Sequence, residues 1–338
     1  MSRAGHRPSA PQHTPSRAGR DGRSSDSGLE SRLPAADTPG AFRGPPRGVP
    51  STMSHSNRSI ALLLLIVAAA LALTGIREFG VPAPAAHPAF GRGPTVVLLH
   101  GLGSSAQHWL PTARLLARRH RVVLVDLPGH GVTAMLEPFS LERATLALDL
   151  ALANERGPVV LVGHSLGGLL AASEALEHPE RVRGLVLVET ALRPQFGAEQ
   201  RTALLAALDQ DYQGVLEAAY QSFGRDSAQG YALYQEVARL DPAHVKPWIR
   251  LALNADLSER AADLAVPVLA VLAERSWPQG EPWAEAAAEL GYARVPQMRG
   301  MRIGGCGHFV MLDRPTELAR AIERFTAMPA GEPVAVLR

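Results

Sequence analysis

The chain predicts an α/β fold: a mostly parallel sheet with helices on both faces and a helical insertion. Three observations carry this. Apolar runs rich in Val and Leu alternate with Ala- and Leu-rich helical patterns from Thr95 onward, the rhythm of strand and crossover helix. The runs have no polar alternation, so their strands are buried on both faces, as parallel strands are. Residues 192–263 then interrupt the rhythm with helical patches and no convincing strand, after which strand alternation resumes.

Composition narrows the classes. The 338 residues suffice for one large α/β domain or two small ones, and 46% hydrophobic content allows a sizeable core. The net charge of +2 misleads: nine Arg and four acids up to Ser59 leave the remainder at −3, mildly acidic, with nothing to suggest nucleic-acid binding. A single cysteine, Cys306, excludes an internal disulfide. There is no metal-ligand cluster, phosphate loop or dinucleotide fingerprint, so no cofactor is expected.

Residues 1–58 are rich in Ser, Pro, Gly and Arg and read as a disordered basic extension. Residues 59–76 follow Arg58 and run through Ile60–Leu73 without a charge. This is the order of an export signal, and the length is near the minimum for a membrane anchor. Either places the rest of the chain outside the cytoplasm, in the cell envelope, with membrane contact only through this segment. Residues 77–93 are rich in Pro and Gly and read as a linker.

The core is expected over 94–191 and 264–328. Thr95–Leu99 is a strand, followed by the loop His100-Gly101-Leu102-Gly103 and a helix near Ala106–Arg119 with Trp109, Leu115 and Leu116 inward. Arg121–Val125 is a strand ending in Asp126-Leu127-Pro128-Gly129-His130-Gly131, and Ser140–Asn154 is a helix. Pro158–Val162 is a strand that runs into Gly163-His164-Ser165-Leu166-Gly167-Gly168 and a helix from Leu169. A serine in such a G-x-S-x-G junction is held on a sharp turn with its hydroxyl projecting, and the glycines allow the turn and close helix packing. Val182–Val188 is the next strand. Helical patches at Ala198–Gln210, Gln213–Phe223, Gly230–Leu240 and Val245–Ala255 form a cap over 192–263, lying over the carboxyl edge of the sheet. Strand Val266–Leu272, helix Pro282–Leu290, strand Met298–Ile303, loop Gly304–Phe309 and helix Thr316–Thr326 complete the order.

Four motifs in fixed order, His100–Gly103, Asp126–Gly131, Gly163–Gly168 and Gly307-His308-Phe309 through Pro315, closely resemble the α/β-hydrolase fold superfamily in its cap-bearing branch. The phrase His178-Pro179-Glu180-Arg181-Val182 also looks typical of it. The resemblance covers about 90–328. It departs at the start, where 77–93 must hold the first two antiparallel strands and only His87–Phe90 is usable, so the first is expected to be missing.

The resemblance implies a nucleophile at Ser165 and its general base at His308. It implies oxyanion donors at the backbone N–H groups of Leu102 and Leu166. His100 reads as a hydrogen-bonding support under its loop and Asp126 as a cap for its own loop. The triad acid departs from the family pattern. Its usual place after strand Val266–Leu272 reads Ala273-Glu274-Arg275-Ser276, with serine where the acid should be. Some superfamily members take a Glu from the preceding strand end, which implies Glu189 here, with Glu274 as the alternative. The expected activity is hydrolysis of a carboxylic ester or related acyl bond of a small-molecule substrate through an acyl-enzyme. C–C bond hydrolysis, cofactor-free perhydrolysis and an inactive ligand-binding relative are the alternatives.

Overall fold

The apolar runs become strands because each offers side chains to two cores at once. Every residue of β2 (Thr95–Leu99) is buried; Val96 and Leu98 enter one core, Val97 and Leu99 the other, as the period of two requires. The computed structural model describes residues 87–328. The basic extension 1–58, the apolar segment 59–76 and residues 77–86 lie outside the described residues. Within the stretch read as linker, Ala89–Gly91 forms a short strand, β1.

The remaining strands are β3 (Arg121–Val125), β4 (Val159–His164), β5 (Val182–Val188), β6 (Val268–Ala273) and β7 (Met298–Ile303). Among the described residues these make one sheet in the order β1-β3-β2-β4-β5-β6-β7. β1 runs antiparallel to β3, with Ala89 opposite Val123; every other pair is parallel. Among the described residues one antiparallel edge strand therefore precedes the parallel set; the segment before it, where the family's first strand is expected to be missing, lies outside them. The chain winds outward from β2 to β3 and then returns to β4 on the other side. That reversal opens a crevice at the carboxyl ends of β2 and β4, the usual ligand position in such sheets.

Helices α1 (Leu110–Leu116), α2 (Leu141–Leu152) and α3 (Leu166–Glu177) connect the first strands. Between β5 and β6 come α4 (Ala198–Gln210), α5 (Tyr212–Phe223), α6 (Ser227–Val237) and α7 (Pro242–Asn254). The chain ends through α8 (Trp283–Glu289), α9 (Val310–Asp313) and α10 (Pro315–Thr326). Trp109, just before α1, and side chains of α1 and α10 fill one core with Leu116 and Ile322; those of α2, α3 and α8 fill the other with Leu148, Leu170 and Ala286.

Several boundaries differ from the sequence reading, each for a local reason. The helix expected over 106–119 is a 3-10 turn at Ala106–Trp109 followed by α1, whose first turn contains Pro111. Proline donates no N–H, so it favours a helix start there. β6 begins at Val268, just past Pro267, which likewise cannot donate to the ladder. α6 begins three residues earlier than expected because the Asp226 carboxylate caps it, accepting from Gln229 N at 2.8 Å. Gly230 sits inside α6 because a Cβ there would meet the backbone of Gln221 on α5 at 2.9 Å.

Two hydrogen bonds tie α5 and α7 to the carboxyl edge of the sheet. Tyr220 on α5 donates its hydroxyl to Leu102 O at 2.7 Å, just beyond β2. Trp248 on α7 donates Nε1–H to Pro128 O at 2.8 Å, just beyond β3.

Candidate active site

Ser165 stands between β4 and α3 with φ 51° and ψ −119°. Among the described residues with a side chain, Ser165 and Glu189 alone have positive φ. Such strain costs on the order of 1–3 kcal/mol and persists only where the surroundings over-determine it. Here they do. Ser165 N donates to Val188 O at 2.9 Å, and its carbonyl accepts from Gly168 N at 2.9 Å and Thr190 Oγ1 at 3.2 Å. The glycines are needed for space: a Cβ on Gly163 would lie 2.3 Å from Gly167 O, and one on Gly167 would lie 2.2 Å from His100 O.

His308 lies on the loop between β7 and α9. Its backbone N–H donates to Phe223 O at 2.9 Å, so α5 holds the loop. Its ring stacks on Phe223, centroids 4.7 Å apart at 30°. Its carbonyl accepts from His164 Nε2 at 3.0 Å. His164 is fully buried, and burial beside His308 holds its pKa well below the ordinary histidine value. It is therefore neutral, with its one N–H at Nε2.

Glu189 follows β5. Its Oε2 lies 3.0 Å from His308 Nδ1. The same oxygen accepts from Ser276 Oγ at 2.9 Å, and Oε1 accepts from Ala273 N at 2.7 Å. The carboxylate is wholly shielded from solvent, and these donors are what make its burial affordable. Ser276, the serine found in place of an acid, thus donates to the acid from the neighbouring strand. Glu274 is exposed, near Gly304, and is not among the residues lining the cavity that Ser165 and His308 share.

That cavity measures about 360 Å³ and is walled by Leu166, Leu169, Leu253 and Leu290, with Phe223 beside His308. Leu166 opens α3. Leu102, half-buried, sits in the loop after β2 across from Ser165's strand. His100 has the supporting place expected of it: fully buried, Nδ1–H donates to Gly101 O at 2.7 Å and Nε2 accepts from Leu127 N at 3.0 Å. Asp126 accepts from Val132 N at 3.4 Å within its loop, and also from Ala106 N at 2.7 Å. Cys306 is half-buried, and burial pushes its thiol up to about 12, which keeps it protonated and unreactive.

A sequence model of the alpha/beta hydrolase family matches residues 96–321, from β2 through α10. The chain is an alpha/beta hydrolase. Among curated relatives, the pimeloyl-[acyl-carrier protein] methyl ester esterase of Aeromonas hydrophila subsp. hydrophila is 30% identical over 252 residues, which are 70% of this chain and 96% of that enzyme. The polyketide synthase ThaQ of Burkholderia thailandensis is 31% identical over 261 residues, 71% of this chain but 12% of the synthase. Among solved structures, a hydrolase from Oleispira antarctica superposes with a TM-score of 0.62 at 20% identity, covering 73% of this hydrolase and 96% of that chain; at this identity the likeness speaks for the fold.

Sequence reasoning missed how four residues of this hydrolase meet the site. Phe223 stacks on His308, Tyr220 holds the Leu102 loop, Thr190 supports the Ser165 carbonyl, and Ser276 binds Glu189. Only Ser276 left a signal, a hydroxyl donor standing where a carboxylate belongs. The other three contacts span from 25 to 118 residues and follow from no local pattern.

Proposed function

We propose that this enzyme hydrolyses a carboxylic ester of a small molecule through an acyl-enzyme, with Ser165 as nucleophile, His308 as general base and Glu189 as triad acid. The observation that carries the reading is the 3.0 Å approach of Glu189 Oε2 to His308 Nδ1 beside the strained Ser165 turn. Esterase activity in the Aeromonas hydrophila relative points the same way.

In this mechanism Glu189 holds the proton of His308 on Nδ1, which leaves Nε2 free to accept the Ser165 proton as Oγ attacks the ester carbonyl. The imidazolium that forms is stabilised by the buried carboxylate. Its proton passes to the departing alkoxide, and the acyl group stays on Ser165. Water then attacks the acyl carbonyl, giving its proton to His308, which passes it to Ser165 Oγ as the acid departs. Negative charge on the tetrahedral oxygen falls between the N–H groups of Leu102 and Leu166, the latter at the positive end of α3. Residues 192–263 serve as the cap that closes the crevice from above.

Labelling with a fluorophosphonate tests the nucleophile. Native protein should label and turn over p-nitrophenyl butyrate, and Ser165→Ala should do neither. A native protein that neither labels nor hydrolyses the ester excludes the reading.

The apolar stretch 59–76 supports export or anchoring of the enzyme at the cell envelope. Among the described residues no helix is long and apolar enough to cross a membrane. Cell fractionation of the full chain against one starting at residue 77 tests this: both should be hydrolases, and only the full chain should leave the cytoplasm.

A further inference from the structure

The cavity that holds Ser165 and His308 has a positive mouth. Arg193, which follows β5, and Arg275, which follows β6, both line it and both are exposed. Several arginines elsewhere are paired, among them Arg121 with Glu155, Arg181 with Asp149 and Arg225 with Asp313. Among the described residues neither Arg193 nor Arg275 has a carboxylate within ion-pair distance. The one acid in the cavity wall is Glu189, whose carboxylate is shielded from solvent and already bound to His308, Ser276 and Ala273.

Arg275 is also aimed. Its guanidinium lies 5.3 Å over the centroid of Phe223, the ring that stacks on His308. This cation–π contact holds the positive charge on the side of the general base. The same cavity wall is also aliphatic, with Leu166, Leu169 and Leu253. A neutral ester would use the aliphatic wall and leave both guanidinium groups to water. An ester with an anionic group at the far end of a short carbon chain would use both, because a guanidinium presents paired N–H donors that match a carboxylate or phosphate.

Resting on the ester-hydrolase reading, we propose that the substrate carries an anionic group separated from its scissile ester by an apolar chain, and that Arg275 and Arg193 select it. The anion can belong to the acyl side, as an ω-carboxylate, or to the alcohol side, as a terminal phosphate; the test separates the two.

The probes are the p-nitrophenyl monoester of adipic acid against p-nitrophenyl hexanoate for the acyl side. For the alcohol side they are the butyrate ester of 4-hydroxybutyl phosphate against butyl butyrate. The charged member of one pair should show kcat/KM higher by about tenfold at low ionic strength, carried mainly by KM, as two partly exposed ion pairs can supply. The ratio should shrink with added salt. Arg275→Gln and Arg193→Gln should each lower the ratio severalfold, and Arg275→Glu should bring it to one or below. Turnover of the neutral esters with no charge preference in either pair overturns this proposal alone, as does a preference that survives all three substitutions. Absence of turnover together with absence of fluorophosphonate labelling overturns the hydrolase reading beneath it.

Discussion

Ser276 Oγ and His308 Nδ1 meet the same carboxylate oxygen of Glu189, at 2.9 and 3.0 Å. The end of β6, where a family acid usually stands, has become a donor to an acid on β5. The two strands are adjacent and parallel, with Val188 opposite Val271, so both strand ends reach one point in space. The longer Glu side chain spans the extra distance that a strand shift of one position creates.

This relationship predicts a transferable acid. Glu189→Gln should lower kcat by about 10⁴, because the imidazole loses the partner that fixes its tautomer. Adding Ser276→Asp to that variant should recover at least about tenfold by restoring a carboxylate at the β6 end. Ser276→Ala alone should cost about 1–2 kcal/mol in kcat/KM, the loss of one hydrogen bond to a charged group. Steady-state kinetics on p-nitrophenyl butyrate measures all three, and Glu274→Gln should stay within twofold of native.

Tyr220 ties the helices between β5 and β6 to the loop that offers Leu102. Tyr220→Phe removes the donor to Leu102 O and leaves a buried carbonyl unpaired, at about 1–3 kcal/mol. Thermal melting should fall by several degrees, since about 1 kcal/mol moves Tm by about 2–4 °C in a domain of this size. The kcat should fall too, because the adjoining peptide loses its anchor.

Glu174 gives a pH signature far from the site. It is fully buried on α3 with neither carboxylate oxygen hydrogen-bonded, and burial raises its pKa to about 8. A group whose folded pKa lies above its unfolded value contributes stability below the unfolded pKa, near 4.5, and loses it as pH rises through about 8. Native Tm should therefore fall between pH 5 and 9, and Glu174→Gln should flatten that fall by several degrees. Scanning calorimetry across that range checks it.

The turn at Ser165 should tolerate no side chain on its glycines. Gly163→Ala and Gly167→Ala each place a Cβ within 2.3 Å of backbone oxygen, so the strand, the helix or the Ser165 turn must move. We expect a loss of at least about tenfold in kcat, even in preparations whose circular dichroism matches the native protein.

Much of this enzyme was legible along the chain. The strands were, because a segment buried on two faces must be largely apolar, and Thr95–Leu99 and Val182–Val188 fall where the pattern puts them. The Ser165 turn was, because its sharp backbone reversal demands a local Gly-x-Ser-x-Gly pattern, and Gly163 already answers to Gly167 four residues on. The order of motifs also led to the family. What the chain alone left open was which glutamate's carboxylate reaches His308. Glu189 and Glu274 are both strand-end glutamates, and no local pattern distinguishes a carboxylate buried against His308 from one facing water. That choice rests on which strands are neighbours and on contacts such as Glu189 to His308, 119 residues apart. The same holds for Phe223, Tyr220 and the two arginines at the cavity mouth. The positions of Phe223 and Tyr220 depend on how α5 packs at the carboxyl edge, those of the arginines on which strand ends are neighbours, and side chains brought together by such packing leave no periodic trace in sequence. Local backbone demands are encoded locally; the surroundings of a buried charge are decided only when the chain folds.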